Sequence, residues 1–325
     1  MELRAKILVV GGGAIGGLVA WRLSINHNLS VSVVCRSNYD AISRHGYRIS
    51  SALYGEGTYI PESVFASVEQ AQSAGPYDYV VVALKALPNI YDCPSLIAPV
   101  ISANTMIVLM QNGIGIEASF AERFPEAPLA STACFVSVKQ TSPGHLKHGA
   151  FAMLAAGMHD GFRTRPNIRK LQQLLRILEH NQVNCLYEHD VQPYRWQKHI
   201  LNGSTNPVSV VCGGSSCQEM VRNDHCCKLL QELMAEIFVL GKAVTGKAFP
   251  GVDGIVDPQS ATDYIKSIPV PVYTSMLVDS QCKRPMELEV ILKNPILLAE
   301  KHNVDVPNMK AMYALLSMIE AGYSK

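Results

Sequence analysis

The sequence predicts an α/β chain: an N-terminal doubly wound parallel sheet followed by an all-helical C-terminal domain. Three observations predict it. Short runs of β-branched and other apolar residues alternate with helical patterns over the first ~135 residues. A glycine cluster stands between the first such run and the first helical pattern. After Leu186, strand-like runs give way to long helical patterns.

The elements follow in order. Lys6–Val10 is a short apolar run, and the helical pattern after the glycines carries Leu18, Trp21 and Leu23. Val31–Cys35, Tyr77–Leu84 and Thr105–Met110 are three further runs. Continuous Val, Ile and Leu between helices describe parallel strands covered on both faces. Arg165–Asn181 reads as an amphipathic helix with Leu171, Leu174, Leu175 and Leu178 on one stripe. Helical patterns then cover Asp190–Leu201, His225–Val244, Thr274–Ser280, Met286–His302 and Pro307–Ala321. Thr245–Gln259 holds three Gly and two Pro and reads as a loop. The domain boundary is expected near residue 187, giving domains 1–187 and 188–325.

Composition narrows the function. With 48% hydrophobic residues among 325, the chain has ample core and is not globally disordered. Its 28 basic and 27 acidic side chains leave a formal charge of +1, which argues against a bulk nucleic-acid binder or a polybasic membrane protein. The cysteines (Cys35, Cys93, Cys134, Cys185, Cys212, Cys217, Cys226, Cys227 and Cys282) are odd in number, scattered and without a CxxC pair. Reduced thiols in a cytoplasmic protein are therefore expected. No metal site is read. The most apolar long stretch, Cys226–Val244, is interrupted by Lys228, Glu232 and Glu236, so no membrane span is expected. The N-terminal Met1–Lys6 leads directly into a strand-like run, and no signal peptide is expected.

Gly11-Gly12-Gly13-Ala14-Ile15-Gly16 matches G-x-G-x-x-G, after a strand-like run and at the start of a helix. In that Rossmann-type context Gly11 permits the tight turn and Gly13 lets backbone approach a pyrophosphate. Gly16 lets helix and strand pack closely. The N–H groups at the helix start hold the anion. An NAD site usually places an acid near the end of the second strand. Here the stretch is Cys35-Arg36-Ser37-Asn38, and an arginine suits a 2′-phosphate. NADP(H) is the expected cofactor, with Ser37 and Asn38 as further donors. Lys85 after the third strand and Asn112-Gly113 after the fourth point to the crevice at the carboxyl ends of the strands.

In the helical half, Lys198 and Asn202 share a helix face, which Asn206 continues just before Pro207. Ser275-Met276-Leu277-Val278-Asp279 is followed by Glu287. Taken with the glycine motif, Leu84-Lys85-Ala86, Asn112-Gly113 and Trp196-x-Lys198-x-x-x-Asn202, the chain resembles the ketopantoate reductase (2-dehydropantoate 2-reductase) family over nearly its whole length. The resemblance implies Lys198 as catalytic lysine and Glu287 as its acid. It implies Asn112, Asn202, Asn206 and Ser275 in the substrate pocket, with Asn112 also near the nicotinamide. Gly11, Gly12, Gly13, Ala14, Ile15, Gly16, Arg36 and Lys85 would contact NADPH.

The residue types suit the chemistry. Hydride transfer to a 2-keto acid leaves negative charge on the keto oxygen, which a neighbouring ammonium stabilises and protonates. Glu287 would position Lys198 or accept from a substrate hydroxyl; its bland reading is an exposed acid in a helix's first turn. His199 reads as structural, and Met309, Met312 and Met318 as core fillers. Two prolines in Ile268–Val272, together with Lys293 and Asn294-Pro295, depart from the family pattern and bear on substrate choice. The expected activity is reduction of 2-dehydropantoate to (R)-pantoate in pantothenate and coenzyme A biosynthesis. The alternatives are another branched or aromatic 2-keto acid, or a non-catalytic NADP-binding sensor. The expected partner is a small-molecule 2-keto acid, and the apolar C-terminal helices are compatible with a homodimer.

Overall fold

The structure is a computed structural model describing residues 5–26 and 28–324; the reading of Met1–Arg4 lies outside them. The chain divides into two compact units. Met1–Lys85, Tyr91–Gln111 and Glu117–Val191 form the first; Ala86–Ile90, Asn112–Ile116 and Gln192–Lys325 form the second.

The first unit is built on one sheet. Its strands are β1 (Ala5–Val10), β2 (Leu29–Val34), β3 (Tyr47–Ser51), β4 (Gly55–Tyr59), β5 (Ser63–Phe65), β6 (Tyr79–Val82), β7 (Met106–Leu109), β8 (Leu129–Ser142), β9 (His145–Met158) and β10 (Asn184–Tyr187). The order is β4-β3-β9-β8-β7-β6-β1-β2-β5, with β10 beside β9. From β5 to β8 all neighbours are parallel. The chain builds outward from β1 through β2 to β5, then returns to β6 on the other side of β1. That reversal is the switch point at which doubly wound sheets bind ligands. Ile7, Leu8, Val9 and Val10 are all fully buried, as strands covered on both faces require.

Helices α1 (Ala14–Ser24), α2 (Tyr39–His45), α3 (Val68–Gln72), α4 (Cys93–Ile97), α5 (Ala118–Arg123) and α6 (Arg165–His180) complete this unit. Thr164 caps α6, and Leu171, Leu174, Leu175 and Leu178 are buried as the stripe predicts. The four expected strands are present. The antiparallel pairs β3–β4 and β8–β9 go beyond the expectation. Strands β3 and β4 carry no apolar run, whereas β8 and β9 contain Ala133–Val136 and Ala150–Met158, runs rich in Ala and Gly rather than in β-branched residues, and cross-strand pairing holds all four.

The second unit is helical: α7 (Gln192–Val211), α8 (Cys217–Arg222), α9 (Asp224–Thr245), α10 (Pro258–Ser267), α11 (Ser275–Gln281), α12 (Asn294–His302) and α13 (Pro307–Ala321). Helix α7 continues past Leu201 and through Pro207, whose ring ordinarily ends a helix. The segment read as a helix over Met286–His302 is helical from Leu288 onward, with a π turn inside it. Met286 and Glu287 precede the helix, the π turn spans Glu289–Lys293, and α12 follows. Ile268–Val272 carries no helix, as its prolines dictate. Met309 and Met312 are buried, but Met318 is 76% exposed and is not a core residue.

Candidate active site

In the first unit the glycine motif forms the turn from β1 into α1. Gly11 has φ +112°, a conformation that side chains resist. A Cβ on Gly11 would lie 2.7 Å from the Ala83 carbonyl carbon, and one on Gly16 would lie 2.0 Å from the Gly11 oxygen. These two glycines therefore let the turn sit against the end of β6. Gly13 differs: a Cβ there would meet no atom within 4 Å. Gly13 is also the N-cap of α1, no side chain caps the helix, and its first turn holds no acid. Open space in front of uncapped N–H groups at a helix start fits a pyrophosphate. The residues present thus fit a dinucleotide.

Arg36 and Ser37 are exposed just beyond β2, and Lys85 is exposed just beyond β6. With β1, β2 and β6 adjacent and parallel, these residues and the glycine turn share the carboxyl edge of the sheet. Asn38 behaves differently from the expectation. Its buried amide donates to the Gly12 oxygen at 3.1 Å and to Gln140 Oε1 at 2.9 Å. Asn38 holds the glycine turn in place and is not a phosphate donor.

The second unit gathers four segments distant in sequence. Lys198, half-buried on α7, donates from Nζ to Asn112 Oδ1 at 2.8 Å. Asn112 Nδ2 donates to Glu287 Oε2 at 3.3 Å. The other carboxylate oxygen, Oε1, accepts the Ala86 backbone N–H at 2.8 Å. Glu287 is 8% exposed and precedes its helix, so it is not a solvated first-turn acid. A buried carboxylate is tolerated when its oxygens accept such donors.

The Asn112–Ile116 segment is itself clamped. Arg195 on α7 donates to the Gly113 oxygen, Ile114 N–H to the Val290 oxygen at 2.9 Å, and Asn294 Nδ2 to the Ile114 oxygen at 2.9 Å. Val290 lies in the π turn, where the widened spacing lets Asn294 N–H reach back to the Glu289 oxygen. Gly113 has φ +90°, and a Cβ on it would lie 2.4 Å from the Val290 Cβ.

Asn206 is 4% exposed, and its Nδ2 has no hydrogen-bond partner. An unmet buried donor costs on the order of 1–3 kcal/mol, which a ligand oxygen would relieve. Asn202 is half-buried one turn earlier. Ser275 is exposed in the first turn of α11; its neighbour Thr274 caps that helix and pairs with Ser209 at 2.8 Å. His199 is 2% exposed, edge-on to Trp196, and both ring nitrogens lack partners. Burial, and then the Arg195 charge, push its pKa down to about 3, so it is a neutral core residue.

Sequence reasoning missed Ala86, Arg195 and Asn294 as parts of the site. Nothing local marks a backbone N–H or a distant carbonyl clamp. The helix α8 was also missed, although Ser216-x-x-Glu219 is a local capping-box signal, and both of its bonds are present. Among the described residues no cluster of three or more metal-ligating side chains occurs, and no helix is long and apolar enough to cross a membrane.

A family model described as ketopantoate reductase PanE/ApbA matches residues 7–161, and its C-terminal counterpart matches residues 190–320. An uncharacterized Saccharomyces cerevisiae protein is 30% identical, spanning 98% of this chain and 94% of its own. A 2-dehydropantoate 2-reductase of Nostoc sp. is 26% identical over 97% of this chain and 95% of its own. The crystal structure of 2-dehydropantoate 2-reductase from Methylococcus capsulatus matches with a TM-score of 0.83 at 29% identity, covering 98% of both chains. The fold is also that of D-mandelate dehydrogenase, solved with NADH and anilino(oxo)acetate, with a TM-score of 0.81 at 17% identity over 98% of this chain and 99% of that one. Matches of this extent leave little of either unit unaccounted for. The chain therefore belongs to the ketopantoate reductase family, and it is a nicotinamide-dependent oxidoreductase acting on a CH–OH group.

Proposed function

We propose that the protein reduces 2-dehydropantoate to (R)-pantoate with NADPH in the cytoplasm, a step toward pantothenate and coenzyme A. The observation that carries this reading is the hydrogen-bonded chain from Glu287 through Asn112 to the Lys198 ammonium.

The bound reduced nicotinamide supplies the hydride. What the chain's own residues contribute is charge and placement. Lys198 stabilises the charge that develops on the keto oxygen and delivers a proton to it. An ammonium has three donors; Asn112 accepts one and so fixes where the others aim. Glu287 keeps the Asn112 amide from flipping, because only its Nδ2 end can donate to a carboxylate. The unmet Asn206 amide takes a carboxylate or hydroxyl oxygen of the substrate, with Asn202 and Ser275 as further donors. Arg36 pairs with the 2′-phosphate, and Gly11–Gly16 and Lys85 hold the remaining phosphates.

A second reading, reduction of an aromatic or differently branched 2-keto acid, is favoured by the shared fold with D-mandelate dehydrogenase and by Pro269 and Pro271, which leave Ile268–Val272 without a helix ahead of Ser275. Steady-state rates on a panel of 2-keto acids separate the two. The first reading expects the highest kcat/KM with 2-dehydropantoate; ranking it among the poorest substrates would discard that reading in favour of the second.

A further inference from the structure

We propose that Cys212 and Cys226 form an exchange-active dithiol that closes to an intramolecular disulfide on reaction with a low-molecular-weight disulfide. The two Sγ atoms lie 3.9 Å apart, in contact but unbonded. Cys212 immediately follows the last residue of α7, and Cys226 stands in the first turn of α9, both within the second unit.

The surroundings separate this pair from the other thiols. Cys35, Cys93, Cys134, Cys185 and Cys217 are buried, Cys227 is half-buried, and Cys282 is exposed. Cys227 follows Cys226 on α9 and is turned by about 100° around the helix axis, away from the bearing that brings Cys226 to Cys212. The backbone at Cys212 is followed by Gly213 and Gly214, both with positive φ, so the α7 terminus ends in a glycine turn rather than a packed segment.

The order of steps follows from access. Cys212 is exposed and Cys226 only half so, and burial together with the neighbouring Cys212 thiol pushes Cys226 up to about 12. Cys212 loses its proton to solvent and its thiolate attacks one sulfur of the added disulfide, expelling one small thiolate. Capping Cys212 removes the charge that opposes ionisation of Cys226. Cys226 then loses its proton and attacks the Cys212 sulfur, expelling the second small thiolate. Each expelled thiolate takes up one proton. Two protein thiols are oxidised and one small disulfide is reduced to two thiols. The new bond fastens the end of the helix that carries Lys198, Asn202 and Asn206 to the start of α9.

The test uses the full-length protein and oxidised glutathione as the probe. Samples are quenched by alkylation and read by intact mass and peptide mapping. Wild type is expected to lose two hydrogens, with Cys212 and Cys226 in one cross-linked peptide pair, and to recover both on reduction with dithiothreitol. C226S is expected to stop at one glutathione on Cys212, and C212S to leave Cys226 largely unmodified. C282S, which removes the other exposed thiol, is expected to cross-link as wild type does. The proposal is overturned if wild type accumulates an open adduct on Cys212 with Cys226 alkylatable. It is equally overturned if C212S still loses two hydrogens.

Discussion

The glycine turn of the first unit and the lysine site of the second are assembled in opposite ways. The turn uses backbone: the Gly11 and Gly12 N–H groups bond to the Val34 oxygen, Gly11 and Gly16 allow close packing, and Gly13, at the uncapped start of α1, faces open space. The lysine site uses side chains from residues 112, 198 and 287, anchored by the backbone N–H of Ala86. A backbone site is sensitive to added bulk, whereas a side-chain site is sensitive to lost groups. Substitutions at the two should therefore fail differently.

The largest effect is expected at Lys198. Lys198→Ala should lower kcat by roughly 10²–10⁴-fold while leaving NADPH affinity unchanged, as read by steady-state kinetics and cofactor titration. Unchanged turnover would detach the lysine from the chemistry and leave only the glycine turn as a functional site.

The glycines test the other half of the comparison. Gly16→Ala sets a methyl 2.0 Å from a backbone oxygen and should cost about 1–3 kcal/mol of stability as well as cofactor binding. Gly13→Ala meets no protein atom, so its denaturation midpoint should stay at the wild-type value while NADPH affinity falls. Equal destabilisation by both would mean that the space at Gly13 is not reserved for a ligand.

His199 sharpens the contrast along one helix, since it neighbours Lys198 yet belongs to the core. Its folded pKa of about 3 lies below the ordinary 6.5, so the unfolded chain binds the extra proton as pH falls. The stability this provides is complete above pH ~6.5 and is lost as pH drops toward 3, amounting to ~2 kcal/mol between pH 6.5 and 5. His199→Leu should remove that part of the slope in urea denaturation at the two pH values. A slope identical to wild type would show that the imidazole accepts a proton in place.

The smallest effect is expected at Arg36. Arg36→Ala should weaken NADPH by roughly tenfold and leave NADH nearly unaffected, since the two differ only in the 2′-phosphate. Equal weakening of both would assign the arginine to the rest of the dinucleotide.

Legibility followed the same divide. The strand–turn–helix with its glycines was readable because its parts are contiguous, and Lys198, Asn202 and Asn206 because helical spacing places them on one face. Glu287 was readable as a residue but not as a buried acceptor, since its spacing is equally that of an exposed first-turn acid. Asn38 was misread as a phosphate donor because its partners, Gly12 and Gln140, stand 26 and 102 residues away. Strand β3 went unread because it has no apolar run, and β8 and β9 because their runs are built largely of Ala and Gly, which have low strand propensity until paired.

By itself, then, the order of residues determined the parallel sheet, the dinucleotide turn and the helix bearing the lysine, all of which rest on short-range steric and periodic rules. Tertiary structure alone decided that Glu287 turns inward to Asn112 and Ala86, that Arg195 and the π turn clamp the Asn112 segment, and that two thiols from different helices meet. A hydrogen bond or a sulfur contact depends on separation in space, and only packing converts a gap of a hundred residues into three ångströms.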